Sequence, residues 1–173
     1  MDIHEIIDTT KASLIISTNK FCPLLYNEKN IELTLSNVLL PFGCEKYNDK
    51  IILNIELEKN NINTNIISKL SNLETNVTDL NVLYNPQTKN LLKNKGYVSI
   101  IKKSKLGNII RTHIIKNTHI YITKKNGEKM DIDYINLPNT TCNIKCLIKG
   151  CWINENSYGL YIIVNSIEII KFS

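Results

Sequence analysis

Two periodicities divide the chain. Ile31, Leu33 and Leu35 alternate with Glu32, Thr34 and Ser36, and Ile51, Leu53, Ile55 and Leu57 alternate with a series that includes Asn54, Glu56 and Glu58. A period of two belongs to a strand with one face on a core and the other in water, so both segments are predicted strands. Between Thr64 and Tyr84 the spacing changes: Ile66, Leu70, Leu73, Val77 and Leu80 recur at steps of four, three, four and three, uninterrupted by Gly or Pro. That is the apolar stripe of an amphipathic helix. It is predicted over 62–84 and ends at Asn85-Pro86, because a residue before proline is pushed out of the α region. Alternation then resumes and predicts strands at 97–103, 108–116, 119–124, 129–135, 141–153 and 158–172.

Turn chemistry links these strands. Asn126-Gly127 separates HIYITKK from EKMDIDYI and predicts a two-residue type I′ hairpin, whose central residues both need positive φ. A second hairpin is predicted through 154–157, and a bend in the last strand near Asn165-Ser166. Many short strands around one mid-chain helix fit a small closed or partly open barrel better than a βαβ sheet, which needs several helices. No internal repeat or linker interrupts the 173 residues, so one domain spanning 1–173 is expected.

Composition changes this picture in one respect. The chain has 30 Ile, 25 Asn and 20 Lys but a single Arg, the bias of AT-rich codons, so the number of lysines says little and their clustering carries the information. Residues 86–130 hold ten Lys and Arg111 against one acid, Glu128, whereas residues 1–85 hold seven bases against eleven acids. A local excess of this size repels itself and is relieved by a polyanion, which makes nucleic acid the first partner to consider. No apolar run approaches the length of a membrane span, and the chain begins MDIHEIIDTTK, acidic where a signal peptide is basic. An intracellular protein, cytoplasmic or nuclear and not secreted, is expected. Its five cysteines, Cys22, Cys44, Cys142, Cys146 and Cys151, are then expected to be reduced.

Enzymatic readings lack parts. The sequence has no P-loop, G-x-G-x-x-G, G-x-S-x-G or H-E-x-x-H motif. His113 and His119 lie in predicted strands among Ile and Lys, where a satisfied or exposed imidazole is the ordinary reading. Asp131 and Asp133 share a strand face and face Lys124 and Lys125 across the predicted hairpin, which suits cross-strand ion pairs better than a cation site. Cys142 and Cys146 sit at even spacing inside an apolar strand rather than on the knuckle turn, with its second pair, that structural zinc prefers, and alternation puts Cys151 on the opposite face. They are read as small buried hydrophobes, and no cofactor or metal is expected.

Basic strands with interleaved aromatics remain. Lys102, Lys103, Lys105, Arg111, Lys116, Lys124, Lys125 and Lys129 come from consecutive strands and their turns, so sheet pairing is expected to gather them into a stripe. Tyr97, Tyr121, Tyr134, Trp152, Tyr158 and Tyr161 are spread over the same strands. Tyr121 alternates away from Ile120 and Ile122 and is expected to offer a partly exposed ring to a base, as single-strand binders do beside a charged groove. Trp152 shares its phase with Ile144, Cys146 and Ile148, which favours the core over a stacking place at the rim. The candidate nucleic-acid-binding set is Tyr97, Tyr121, Trp152 and Tyr158 with the eight cations. Lysine in a Lys-biased chain also has the plain reading of a solvated face.

From Ile51 onward, the order strand, helix, strands, hairpin, followed by CNIKCLIKGCWINENSYGLYIIVNSIEIIKF, resembles a known family. Gly150-x-Trp152, a short polar turn, Tyr158-Gly159 and an alternating last strand look like the closing hairpin of the OB-fold single-stranded DNA-binding proteins of large DNA viruses, distantly related to the phage replication type. The resemblance covers the last two thirds of the chain. It implies a mainly β, OB-like Greek-key barrel of about five to nine strands with one mid-chain helix, and a non-enzymatic role in DNA replication or recombination. Phage-type members end in an acidic tail with a terminal aromatic that recruits replication proteins. This chain ends IEIIKFS, with Phe172 but no acidic run, so only the groove is carried over. The expected partner is single-stranded DNA, with RNA a further candidate because stacking alone does not exclude a 2′-OH. Replication proteins and a second copy of the chain are lesser candidates. The alternative is a β-rich viral assembly or interaction protein whose Lys stripe meets an acidic protein.

Overall fold

The computed structural model describes residues 12–14, 20–47, 50–57, 61–79, 86–105, 107–132 and 136–171. In chain order they form β1 (Ala12–Leu14), β2 (Phe21–Tyr26), β3 (Ile31–Leu40), β4 (Cys44–Tyr47), β5 (Lys50–Leu57), α1 (Asn61–Thr78), α2 (Pro86–Leu92), β6 (Gly96–Tyr97), β7 (Ile101–Ser104), β8 (Gly107–Thr123), β9 (Lys129–Asp131), β10 (Thr140–Ile153) and β11 (Ser157–Lys171). The fold is mainly β, with a mixed sheet of eleven strands and two helices among the described residues. This corrects the expected five to nine strands and single helix.

Five strands carry the frame. β10 pairs antiparallel with β3 on one side and β11 on the other. β3 meets β5 at Leu39 opposite Glu56, β5 runs antiparallel to β8, and β8 runs parallel to β11. The hydrogen-bonded neighbours therefore form a circuit, β10–β3–β5–β8–β11 and back to β10. β1, β2, β4, β6, β7 and β9 are appended to it.

The helical stripe behaves as its spacing predicts: Ile66, Leu70, Leu73 and Val77 are at most 1% exposed and join the strand residues in one core. The boundaries differ from expectation. α1 ends at Thr78, and Pro86 opens α2 instead of only stopping a helix, because proline's fixed φ and missing N–H suit a first helical turn. Leu80 and Tyr84 lie outside the described residues. The predicted strands 108–116 and 119–124 are one strand, β8. Its register against β11 jumps between Ile114 opposite Val164 and His119 opposite Ser166, and Thr118 Oγ spans the irregularity, accepting from Ile115 N–H (3.0 Å) and donating to Val164 C=O (2.6 Å). The predicted strand 97–103 is divided into β6 and β7. β5 lacks the wet face its alternation suggests, since Asn54 and Glu56 are buried along with Leu53, Ile55 and Leu57.

Both predicted hairpins form. At the first, Gly127 N–H bonds Lys124 C=O (2.9 Å) and Lys124 N–H bonds Glu128 C=O (2.9 Å), with positive φ at Gly127 but not at Asn126. One positive φ means a turn with a glycine bulge rather than the expected I′ turn. At the second, Asn154 Oδ1 accepts from the N–H groups of Asn156 (2.9 Å) and Ser157 (2.7 Å). The expected bend near Asn165 coincides with register shifts of β11 against both β8 and β10.

Candidate nucleic-acid interface

One bulge decides which side chains leave the core. Along β10, Cys142, Ile144, Cys146 and Ile148 are buried, as a period of two requires. A register shift between Ile148 and Gly150 then reverses the phase, so that Cys151 and Ile153 point inward and Trp152 turns away. The core placement expected for Trp152, and the opposite face expected for Cys151, both fail for this reason. All five cysteines are buried free thiols. Burial holds Cys142 and Cys146 up at about 12, so they remain protonated hydrophobes.

Two glycines make the arrangement fit. A Cβ on Gly150 would lie 2.0 Å from the Cys22 carbonyl oxygen, so only glycine lets β2 approach and pair there. That pairing sets Phe21 opposite Trp152. A Cβ on Gly159 would meet Val98 C=O at 2.6 Å and the Trp152 ring at 3.0 Å, so glycine lets both lie close against β11. Gly150 and Gly159 thus shape the closing hairpin so that Trp152 stands in one wall of a surface groove.

That groove has a volume of about 590 Å³. Trp152, Phe21 and Tyr161 supply its aromatic surface. Lys20, Lys50, Lys102 and Arg111 supply its charge, and none of the residues lining it is acidic. Arg111 and His113 share a face of β8 because they are two apart, while Ile110 and Thr112 between and beside them are buried. Tyr161 stands between His113, with ring centroids 4.8 Å apart, and Phe21, edge-on at 6.1 Å. Burial, then the charges of Lys50 and Arg111, lower the His113 pKa from its ordinary 6.5, and its Nδ1 is buried without a hydrogen-bond partner. The imidazole is therefore mainly neutral at pH 7.

The candidate set divides between this groove and other places. Lys102, Arg111 and Trp152 line the groove. Lys103, Lys105 and Lys116 are exposed and do not line it. Lys124, Lys125 and Lys129 belong to the β8–β9 hairpin. There Lys124 pairs with Glu128 at 3.0 Å, and Lys129 Nζ lies 4.5 Å from the centre of the Tyr121 ring. Tyr121 is only 8% exposed, packed beside His119 and under Lys129, which corrects the partly exposed ring expected of it. Asp131 bonds His119 instead of Lys124 or Lys125. Tyr158 is buried against Tyr97 at 5.2 Å, and the Tyr97 hydroxyl donates to Glu74 (2.8 Å). Neither ring lines the groove. Tyr134 and Asp133 lie outside the described residues.

Lys20, Phe21, Lys50, His113 and Tyr161 were absent from the candidate set. Tyr161 had a legible signal, since Leu160 and Ile162 flank it and alternation turns it outward. Lys20 and Lys50 sit in the net-acidic part of the sequence and had none. Among the described residues, no cluster of three His, Cys, Asp or Glu is placed to hold a metal ion, and no helix is long and apolar enough to cross a membrane.

No family model and no curated protein matches the chain. Among solved structures, its fold is similar to that of gp2.5, a single-stranded DNA-binding protein encoded by bacteriophage T7. The TM-score is 0.57 at 8% identity, over 82% of this chain and 92% of that one. It is also similar to a C-terminal truncation of the single-stranded DNA-binding protein from bacteriophage Enc34, with a TM-score of 0.53 at 12% identity, over 94% of this chain and 96% of that one. The chain therefore shares its fold with phage single-stranded DNA-binding proteins.

Proposed function

We propose that this protein binds single-stranded DNA without catalysis, laying the strand through the groove between β2, β5, β8 and the β10–β11 hairpin. The observation that carries this reading is the composition of that one surface. Four cations and three aromatic side chains converge from six separate stretches of sequence with no acid among them. Cations neutralise phosphates, and aromatic faces accept any base, so the combination favours tolerance of sequence over readout of it. The likeness of fold to the two phage proteins supports the same reading. The circuit of five strands is read as an OB-like barrel within a single domain, with α1 covering one opening and the groove on its outer wall. Replication or recombination, where DNA is unpaired, is the setting that fits.

Fluorescence polarisation with oligo-dT, oligo-U and a duplex of equal length, at several salt concentrations, tests it. Four phosphate contacts predict a slope near −3 in log K against log salt for the single strand, at about −0.7 per phosphate. Weaker binding to duplex is expected. A flat slope, or equal affinity for duplex, rejects the groove and favours the assembly-protein alternative.

A further inference from the structure

We propose that Glu74, on α1, is a positioning residue of the groove, holding in place the wall that carries Lys102; this rests on the groove being the binding surface. The wall runs from Val98 to Lys102, and Val98, Ser99, Ile100 and Lys102 all line the groove. Its own sheet anchorage is slight. β6 has two residues, and β7 begins only at Ile101; between them Val98 N–H bonds Tyr158 C=O (2.8 Å) and Ile100 C=O accepts from Arg111 N–H (3.3 Å), while Ile100 N–H turns toward α1. Buried backbone groups there need other partners. Glu74, a residue only 8% exposed, provides one for Ile100 N–H and also holds two side chains of the segment. Its Oε1 accepts from the Tyr97 hydroxyl (2.8 Å) and from Ile100 N–H (2.8 Å), and its Oε2 accepts from Ser99 Oγ (2.8 Å). Ser99 Oγ in turn accepts from Ile101 N–H (3.0 Å).

A carboxylate that accepts from Tyr97 at the end of β6 and from Ser99 and Ile100 beyond it fixes the path of the chain between the two strands, and with it the start of β7 and the placement of Lys102. Burial, reinforced by Glu74, raises the Tyr97 pKa far above its ordinary value, so the phenol remains a donor. Tyr97 is thus a strut of the wall rather than a stacking platform. The network needs the acceptor geometry more than the charge. A glutamine can keep its oxygen on Tyr97 and Ile100 while its amide donates to Ser99 Oγ, whose own proton can turn to the Ile101 carbonyl 3.1 Å away.

The experiment compares the wild type, Glu74→Gln, Glu74→Ala and the Tyr97→Phe/Ser99→Ala double variant by oligo-dT titration across salt. Stoichiometric titration at low salt gives the folded, active fraction of each. Displacement of Lys102 removes one phosphate contact, so Glu74→Ala and the double variant should lose about 0.7 from the salt slope and about tenfold in affinity per active molecule. Partial unfolding lowers the active fraction but leaves the slope alone. Glu74→Gln should bind within about twofold of wild type. If Glu74→Ala does not fold, the double variant, which keeps the carboxylate and the Ile100 bond, decides. A wild-type slope in the double variant, or a loss in Glu74→Gln equal to that in Glu74→Ala, overturns the positioning role while leaving the groove intact. A wild type with no salt-dependent binding removes both.

Discussion

The groove and the β8–β9 hairpin are both rich in cations, and they differ in what has been done with the charge. On the hairpin, Lys124 has Glu128 at 3.0 Å, His119 has Asp131, and Lys129 covers the Tyr121 ring. In the groove, Lys50, Lys102 and Arg111 have no ion-pair partner among the described residues. Partners on the hairpin are near in sequence, four, eight or twelve residues apart, so a turn suffices to bring them together. Groove cations come from β5, β7 and β8 and are assembled only by the tertiary fold. A field useful for binding a polyanion arises where the fold collects like charges and leaves out their counter-ions. Lysine density along the sequence does not measure it.

The largest expected effect breaks the comparison directly. Replacing Lys50, Lys102 and Arg111 together with alanine should lower the salt slope by about 2 and weaken oligo-dT binding at low salt by roughly two to three orders of magnitude. The matching hairpin variant, with Lys124, Lys125 and Lys129 replaced, should stay within about threefold of wild type. Polarisation titrations of the two triple variants side by side measure this. Equal losses would mean that the strand tracks the hairpin as well.

The aromatics sharpen the contrast. Trp152→Ala should cost about 1 to 3 kcal/mol of binding, or roughly fivefold to 150-fold in affinity, and Trp152→Phe should recover most of it, because stacking belongs to the ring face. Tyr121→Ala should instead cost stability, roughly 2 to 4 kcal/mol, since its ring is buried, and should leave affinity per folded molecule unchanged. Denaturant unfolding paired with titration separates the two kinds of loss. An affinity defect in Tyr121→Ala with an unchanged unfolding midpoint would restore the aromatic to the binding surface.

The sequence was legible where a periodicity runs unbroken. Ile66, Leu70, Leu73 and Val77 are buried at the predicted spacing, and the two hairpins form where Asn126-Gly127 and Asn154–Ser157 placed them. It misled where one extra residue shifts the phase. The bulge before Gly150 moved Trp152 from the core to the groove and Cys151 into the core. No alternation count reveals such a shift, which falls where β10 starts to pair with β2, more than a hundred residues away in the sequence. Tyr97 and Tyr158 were misplaced for a related reason. A tyrosine in a strand reads the same whether its hydroxyl reaches water or, as for Tyr97, a buried Glu74 on another element. Of the groove's cations only Lys102 and Arg111 were found, because Lys20 and Lys50 lie among acids that the fold sends elsewhere.

The smallest effect tests whether the groove senses its own charge. In the free protein His113 faces Lys50 on β5, Arg111 on its own strand and Tyr161 on β11, with Lys20 and Lys102 also lining the groove and no acid among them. Burial first, and then Lys50 and Arg111, hold its pKa below 6.5. The unfolded chain therefore takes up a proton at a higher pH than the folded one, so the group's contribution to stability is lost as pH falls below about 6.5. Phosphates on Lys50 and Arg111 cancel the two electrostatic causes and raise the pKa of the bound form above that of the free form. Binding then takes up a fraction of a proton, and affinity increases as pH falls below 6.5 through the pKa of the bound form and levels off above it. Oligo-dT should bind a few-fold tighter at pH 5.5 than at pH 7.5 at constant ionic strength, and His113→Phe should abolish that difference. His119→Gln, which alters the hairpin histidine, should leave it in place. If the pH dependence follows His119 instead, the strand reaches the hairpin, and the two regions act on nucleic acid together.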